Sequence, residues 1–253
     1  MNSILVAAIV FGSALGGVLV GMFVRRLLPD EYLQHETKET IRLATALIAT
    51  MAALVLGLLV SAAKSSFDEE TSGFRQLALN AVLLDRTLAQ FGEDARPARD
   101  QLKRTIAQTV DSLWPDDPAE SSRIDDAKIT AEGSALIDAL RGLSPHDESQ
   151  RALKAQTLQL SSELMRDRWR LSQGNEESLP APFLVVLAFW LAVLFGSFGL
   201  FAPRNALAFA ALLVCAASVA GAVFLIVDLD QPFDGLVKVS SSSLRDALSK
   251  LGQ

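Results

Sequence analysis

Residues 43–63 read LATALIATMAALVLGLLVSAA, and residues 64–91, which follow, read KSSFDEETSGFRQLALNAVLLDRTLAQF. The first run holds no Asp, Glu, Lys or Arg. Wound as a helix it reaches about 30 Å, the thickness of a bilayer's hydrocarbon. Backbone in hydrocarbon must satisfy its own polar groups, so an isolated run of this kind is helical. The second run is charged, yet Phe67, Phe74, Ala81 and Leu88 recur every seven residues. Glu70, Leu77, Leu84 and Phe91 form a second row three residues later. These rows make an a/d seam. No strong helix breaker separates the runs, and Gly73 costs only about 1 kcal/mol. The spacing predicts one helix that leaves the membrane and continues as a rod in water.

Three more uncharged runs have spanning length: Asn2–Val24, Phe183–Pro203 and Asn205–Val227. The fold class expected is an all-α integral membrane protein with four transmembrane helices in a 2+2 arrangement. A membrane hairpin occupies residues 1–63 and an extramembrane helical bundle residues 64–181. A second hairpin follows at 182–227, and a tail at 228–253 carries a short amphipathic helix. Arg25 and Arg26 directly after the first run read as a stop-transfer flank, so that helix is expected to be retained. Its small residues form two rows, Gly12 with Gly16, and Ser13 with Gly17 and Gly21. Such rows let backbones approach closely, within the chain or between subunits. Residues Arg25–Arg42 read as a charged loop.

Mean hydropathy is +0.31. Residues 64–181 carry 15 basic and 21 acidic side chains, which accounts for the whole net charge of −6. An acidic insert excludes a nucleic-acid role, which needs a basic patch. Within it, helices are expected at Pro97–Trp114, Arg123–Leu143 and from Ser144-Pro145 to about Gln173. Ser144 reads as the N-cap, and Asp116–Ser122 as a loop. The face Leu153, Thr157, Leu160 and Leu164 belongs to the last of these helices. In the tail, Leu244, Leu248 and Leu251 share a face that is expected to dock on the bundle.

No catalytic constellation emerges. His35 and His146 read as surface residues, and Cys215 stands alone in a span. Asp228, Asp230 and Asp234 are spaced like the start of a calcium loop but lack its glycine and late glutamate, so they read as acids ending a span. Asp85 and Asp138 are expected to pair with Arg86, Arg141 or another bundle arginine. No enzyme activity, cofactor or metal is expected.

The span at 43–63 carries one small or polar stripe. Ala46, Thr50, Ala53, Gly57 and Ser61 recur at steps of three or four, with Arg42 and Lys64 at the ends. Leu47, Met51, Leu54, Leu58 and Leu59 lie on the other faces. The stripe fits either tight packing against the first span or the lining of a pore whose terminal cations draw anions. The short loops carry Arg25, Arg26, Lys38, Arg42 and Arg204, and the positive-inside rule then puts the bundle outside the cell.

Several phrases carry a resemblance. They are Ala49-Thr50-Met51-Ala52-Ala53-Leu54-Val55-Leu56-Gly57-Leu58-Leu59 leading to Lys64-Ser65-Ser66-Phe67-Asp68, then Leu83-Leu84-Asp85-Arg86 and Leu113-Trp114-Pro115. In the tail stand Leu229-Asp230-Gln231-Pro232-Phe233-Asp234-Gly235, Val239-Ser240 and Leu244-Arg245-Asp246-Ala247-Leu248. Nearly end to end, the chain resembles the bestrophin-like domain family of bacterial membrane proteins. It departs from that pattern at Gln231 and Ser243. The resemblance implies four spans, a location in the bacterial inner membrane, and a homo-oligomer, with five subunits expected, around an axial pore. It implies passage of inorganic anions, with the second span as lining and the bundle in the cytoplasm, opposite to the charge count. The second span lacks the aromatic ring that narrows a bestrophin pore. Two functions stay open: a passive anion channel, and a non-conducting scaffold or sensor whose bundle binds a partner.

Overall fold

The computed structural model describes residues 2–29, 35–114, 126–173, 181–203, 205–231 and 235–252, with the side chains of 126–132 left aside. The expected loop at Asp116–Ser122, and Asp234, lie outside the described residues. Among the described residues every regular element is helical. The order is α1 (Ser3–Leu27), α2 (His35–Phe91), α3 (Arg96–Leu113), α4 (Asp126–Arg141), α5 (Glu148–Gln173), α6 (Ala181–Phe201), α7 (Ala206–Leu229) and α8 (Ser242–Lys250). Helices α1, α2, α6 and α7 each contain a stretch long and apolar enough to cross a membrane. Helix α2 is continuous over 57 residues, as its uninterrupted pattern predicts.

The chain divides into two compact units. The first comprises residues 1–67 and 177–237. Its core takes Val6, Val10, Ala14 and Val18 from α1, and Leu184, Leu187, Leu191, Leu194 and Phe195 from α6. Helix α7 adds Ala216, Ala220, Val223, Ile226 and Val227, and α2 adds Ala52, Leu59 and Ala63. In lipid there is little hydrophobic drive for helices to meet, so close packing must hold them. The α1–α6 contact shows how. A Cβ on Gly17 would fall on the Ala192 carbonyl, one on Gly21 on the Gly196 carbonyl, and one on Gly199 on the Val18 carbonyl. The Arg25 guanidinium then donates to the Leu200 carbonyl at 3.1 Å, satisfying an open oxygen in the last turn of α6. The pairs 17–192, 21–196 and 25–200 advance together, so α1 and α6 run parallel. One small-residue row of α1 is therefore an intrachain contact. The other is not, since a Cβ on Gly12 or Gly16 would meet nothing within 4 Å.

Caps follow the sequence. Asn2 accepts from the Ile4 amide at 3.1 Å, and Asn205 from the Ala208 amide at 2.8 Å. The charged segment Arg25–Arg42 is mostly helix rather than loop. Arg25 and Arg26 form the last turn of α1, and His35 already opens α2. Cations suit a helix C-terminus and Glu36 suits an N-terminus, so charge here extends the helices instead of ending them.

The second unit comprises residues 68–176 and 238–253. Phe74, Leu77, Ala81, Leu84, Leu88 and Phe91 of the two seven-residue rows of α2 are buried, whereas Phe67 and Glu70 at their start are only partly so. Leu102, Ile106 and Val110 of α3, Leu136 and Leu140 of α4, and Leu164 of α5 are buried in the same unit. Full burial of such a leucine from water contributes about 2 kcal/mol. Gly73 is no blemish, because a Cβ there would strike Leu171 of α5 at 2.9 Å. Gly92, at φ 106°, terminates α2 in the left-handed region. Pro97 stands in the first turn of α3, where its missing N–H costs nothing.

One N-terminus differs from expectation. Helix α5 starts at Glu148, and Asp147, not Ser144, caps it: its carboxylate accepts from the Gln150 amide at 2.7 Å. The Gln150 side chain reciprocates by accepting from the His146 amide at 2.7 Å, a variant of the capping box. The reciprocal Asp-x-x-Gln arrangement satisfies two amides, which a Ser-Pro start does not. Lys154 closes the preceding helix end, donating to the carbonyls of Arg141 at 2.7 Å and Leu143 at 2.6 Å.

The tail docks within this unit. Leu244, Ala247 and Leu251 are buried, and Leu248 is only partly so. Asp85, itself buried, accepts two bonds from Arg99, at 2.8 and 2.9 Å, and a third from the Gly252 amide at 3.2 Å. The hydrogen bond to Asp85 holds the Arg99 guanidinium above its ordinary pKa, against burial, which lowers it. Trp114 lies edge-on to Phe74, with ring centroids 5.0 Å apart, and its indole donates to the Val239 carbonyl at 2.9 Å. The partner of Asp85 is thus Arg99. Asp138 is exposed, with Arg141 at 4.0 Å.

Candidate pore-lining face of the second helix

Between Arg42 and Lys64, α2 presents three faces. The first is packed: Ala52, Leu59 and Ala63 are buried, with Ile48, Val55 and Leu56 partly covered beside them. The second holds Leu47, Met51, Leu54 and Leu58, all exposed. Adjacent leucines divide sharply, with Leu58 63% exposed and Leu59 6%. The third face is the stripe. Ala46, Thr50, Ala53, Gly57 and Ser61 are all exposed, and a Cβ on Gly57 would meet nothing within 4 Å. Tight packing of the stripe against the first span is therefore not what the chain makes of it. Helix α1 spends its close-contact glycines on α6 instead.

Thr50 returns its hydroxyl to the Ala46 carbonyl at 2.8 Å, so its donor is satisfied inside the helix. A polar tie from the packed side joins the Thr45 and Ser197 hydroxyls at 2.9 Å. Arg42 and Lys64 are exposed and stand about 33 Å apart along the helix. The Lys64 ammonium lies 5.9 Å from the centroid of the Phe67 ring, within cation–π range. The stripe can therefore offer an uncharged surface of spanning length with a cation at each end. Repeated around an axis, that pattern raises the local concentration of anions at the mouths and presents no bulky side chain between them.

Arg42 has a second neighbourhood that its own helix does not reveal. It lines a recess of about 320 Å³ with Arg25, His35, Lys38, Glu39 and Phe201. Phe201 comes from the far end of the sequence, so spacing alone could not have assembled this group.

The remaining candidates are accounted for. Asp228 is buried at the end of α7, and its carboxylate accepts from the amides of Leu236, at 3.0 and 2.8 Å, and Val237, at 3.1 Å. A Cβ on Gly235 would collide with Asp228, so glycine is what lets this loop wrap its acid. Asp228 is a loop anchor. Among the described residues no three His, Cys, Asp or Glu side chains stand close enough to hold a metal ion. His146 is exposed, 3.3 Å from Asp94, and His35 is exposed, 4.0 Å from Glu39.

Comparison with known proteins agrees on the fold. The crystal structure of a bacterial bestrophin homologue from Klebsiella pneumoniae, carrying a leucine-to-threonine mutation, superposes with a TM-score of 0.65 at 14% identity. That match covers 100% of both chains. The crystal structure of a membrane protein with a proline-to-alanine change gives 0.64 at 15% identity, over 96% of this chain and 99% of that one. No curated protein sequence matches it. The family profile of the bestrophin-like domain matches residues 11–244.

Proposed function

Because the chain belongs to the bestrophin-like family, we propose that it assembles as a homo-oligomer around an axial pore and passes inorganic anions passively. The two membrane hairpins surround that axis in the 2+2 arrangement, and the bundle follows between them in sequence. Ala46, Thr50, Ala53, Gly57 and Ser61 line the pore, with Arg42 and Lys64 at its mouths. One observation carries this reading. The small stripe of α2 is left uncovered by its own chain, separately from the bulky apolar face that suits lipid or a neighbouring subunit. A helix that needed only to sit in lipid would have no use for the distinction.

Without an aromatic ring, the lumen between the mouths is wider than the bestrophin pattern. Selection then rests on the terminal cations rather than on a tight fit. The orientation we adopt is the family's, with the bundle in the cytoplasm. Labelling a cysteine placed at Ser249 from one side of intact cells tests it.

The deciding experiment is halide flux into liposomes holding the purified protein. Voltage-driven, non-saturating flux above that of empty liposomes is expected. A folded oligomer that passes no halide, with the gate shown to be open, would leave the scaffold reading in its place.

A further inference from the structure

Helix α4 is held unevenly within the bundle. Lys154 and Met165 of α5 meet it. The Lys154 ammonium donates to the Arg141 and Leu143 carbonyls at 2.7 and 2.6 Å, and a Cβ on Gly133 would fall 2.9 Å from the Met165 sulfur. Ser161 stands seven residues after Lys154 and four before Met165, so it shares their face, and it is buried. Its hydroxyl turns back to the Leu158 carbonyl at 2.9 Å and gives α4 no proton. From 133 to 141 the apolar side chains that α4 buries fully are Leu136 and Leu140.

The side of α3 toward α4 is polar. Helix α3 packs against both α4 and α8. Arg99 marks its side toward α2 and the tail, since Asp85 accepts from Arg99 and from the Gly252 amide. At about 100° per residue, Thr105 stands about 120° round α3 from Arg99, and Gln108 about 180°. Helix α8 belongs to the Arg99 side, which leaves α4 to cover Thr105 and Gln108. Thr105 is fully buried and Thr109 nearly so, with the Thr109 hydroxyl spent on the Thr105 carbonyl at 2.8 Å. Among the described residues, the Thr105 hydroxyl and the Gln108 side-chain oxygen are buried and have no hydrogen-bond partner. A polar group in that position is costly, and the cost vanishes once water reaches it.

We propose that α4 is a lid on the bundle, which lifts from α3 while its last turn stays hinged to α5 through Lys154. Lifting gives Thr105 and Gln108 water as a partner and gives up little apolar contact. The second half of α2, with Phe74, Leu77, Leu84 and Leu88 buried, has no such exchange to make. Stability within the bundle is then graded, with α4 at the low end. The inference rests on the bundle alone and not on conduction.

The experiment is hydrogen exchange of the full-length protein in detergent, read by mass on peptides covering 133–141 and 74–91. The α4 peptides are expected to exchange at least about a hundredfold sooner. Thr105→Val keeps the shape and removes the unpaired hydroxyl. It should slow exchange in α4 about tenfold and leave 74–91 unchanged. Gln108→Met, at a partly exposed position, serves if Thr105→Val does not fold, and should slow it about threefold. Lys154→Met removes the hinge and should speed exchange in the last turn of α4 about tenfold. Equal exchange in the two segments would overturn the proposal. So would unchanged or faster exchange of α4 in the Thr105 and Gln108 variants, and an unchanged last turn in Lys154→Met would remove the hinge.

Discussion

The two halves of α2 share one helix and have opposite fates. From Phe74 to Phe91, where Leu79, Leu83 and Ala89 stay exposed, most apolar positions are covered by the chain itself, including Leu77, Leu84 and Leu88. Between Leu43 and Ala63 only Ala52, Leu59 and Ala63 are. The difference is one of solvent. In water an exposed apolar row is costly, so α3, α5 and the tail have to complete the second half. In lipid the same exposure costs little, so the first half is free to keep one face for hydrocarbon and another for a different purpose. A span left this open gets its further contacts from outside the chain.

Four substitutions can break or sharpen that comparison. The most damaging should be Gly21→Leu. A side chain there falls on the Gly196 carbonyl, and backbone cannot yield as a flexible side chain can, so loss of folded protein on size exclusion is expected. Next is Asp85→Ala, which strands Arg99 and frees the Gly252 amide. It should cost about 3 kcal/mol in the unfolding of the second unit. Trp114→Phe keeps most of the ring contact with Phe74 but loses the bond to Val239. About 1 kcal/mol is expected by the same measurement. Gly57→Leu should move stability least, by less than about 0.5 kcal/mol, because space is open around it. Its effect should appear as lost halide flux from an intact oligomer. Full flux with the oligomer preserved would refute the lining, and a large loss of stability would refute the open face.

Much of this contrast is legible in the sequence. The spanning helices announce themselves by what they lack, and the seven-residue rows of α2 locate the bundle core residue by residue. Competition between local signals explains most of the errors. Ser144-Pro145 and Asp147-x-x-Gln150 both resemble a helix start, and only the reciprocal bonds decide for Asp147. Charge between Arg25 and Arg42 reads as loop, although the same residues are good helix formers with favourable dipole placement. In the tail, spacing favours Leu248, but docking buries Ala247 instead. For Asp85 the sequence offers Arg86, Arg141 or another bundle arginine, and Arg99 is the partner because α3 brings it to Asp85, which spacing does not report. The recess at Arg42 needs Phe201, more than 150 residues away, and no periodicity reports such a meeting.

The glycine seam between α1 and α6 has a mechanical consequence. Where most helix pairs are separated by a layer of side chains that can change rotamer, here backbone rests on backbone at Gly17, Gly21 and Gly199. At those three positions no side chain can act as a bearing. Sliding one past the other would have to lift every contact before the next register, about 6 Å on, came into reach. Between Gly17 and Arg25 the pair is thus built to resist sliding, and a force applied at its Arg25–Leu200 end meets backbone before it meets any rotamer.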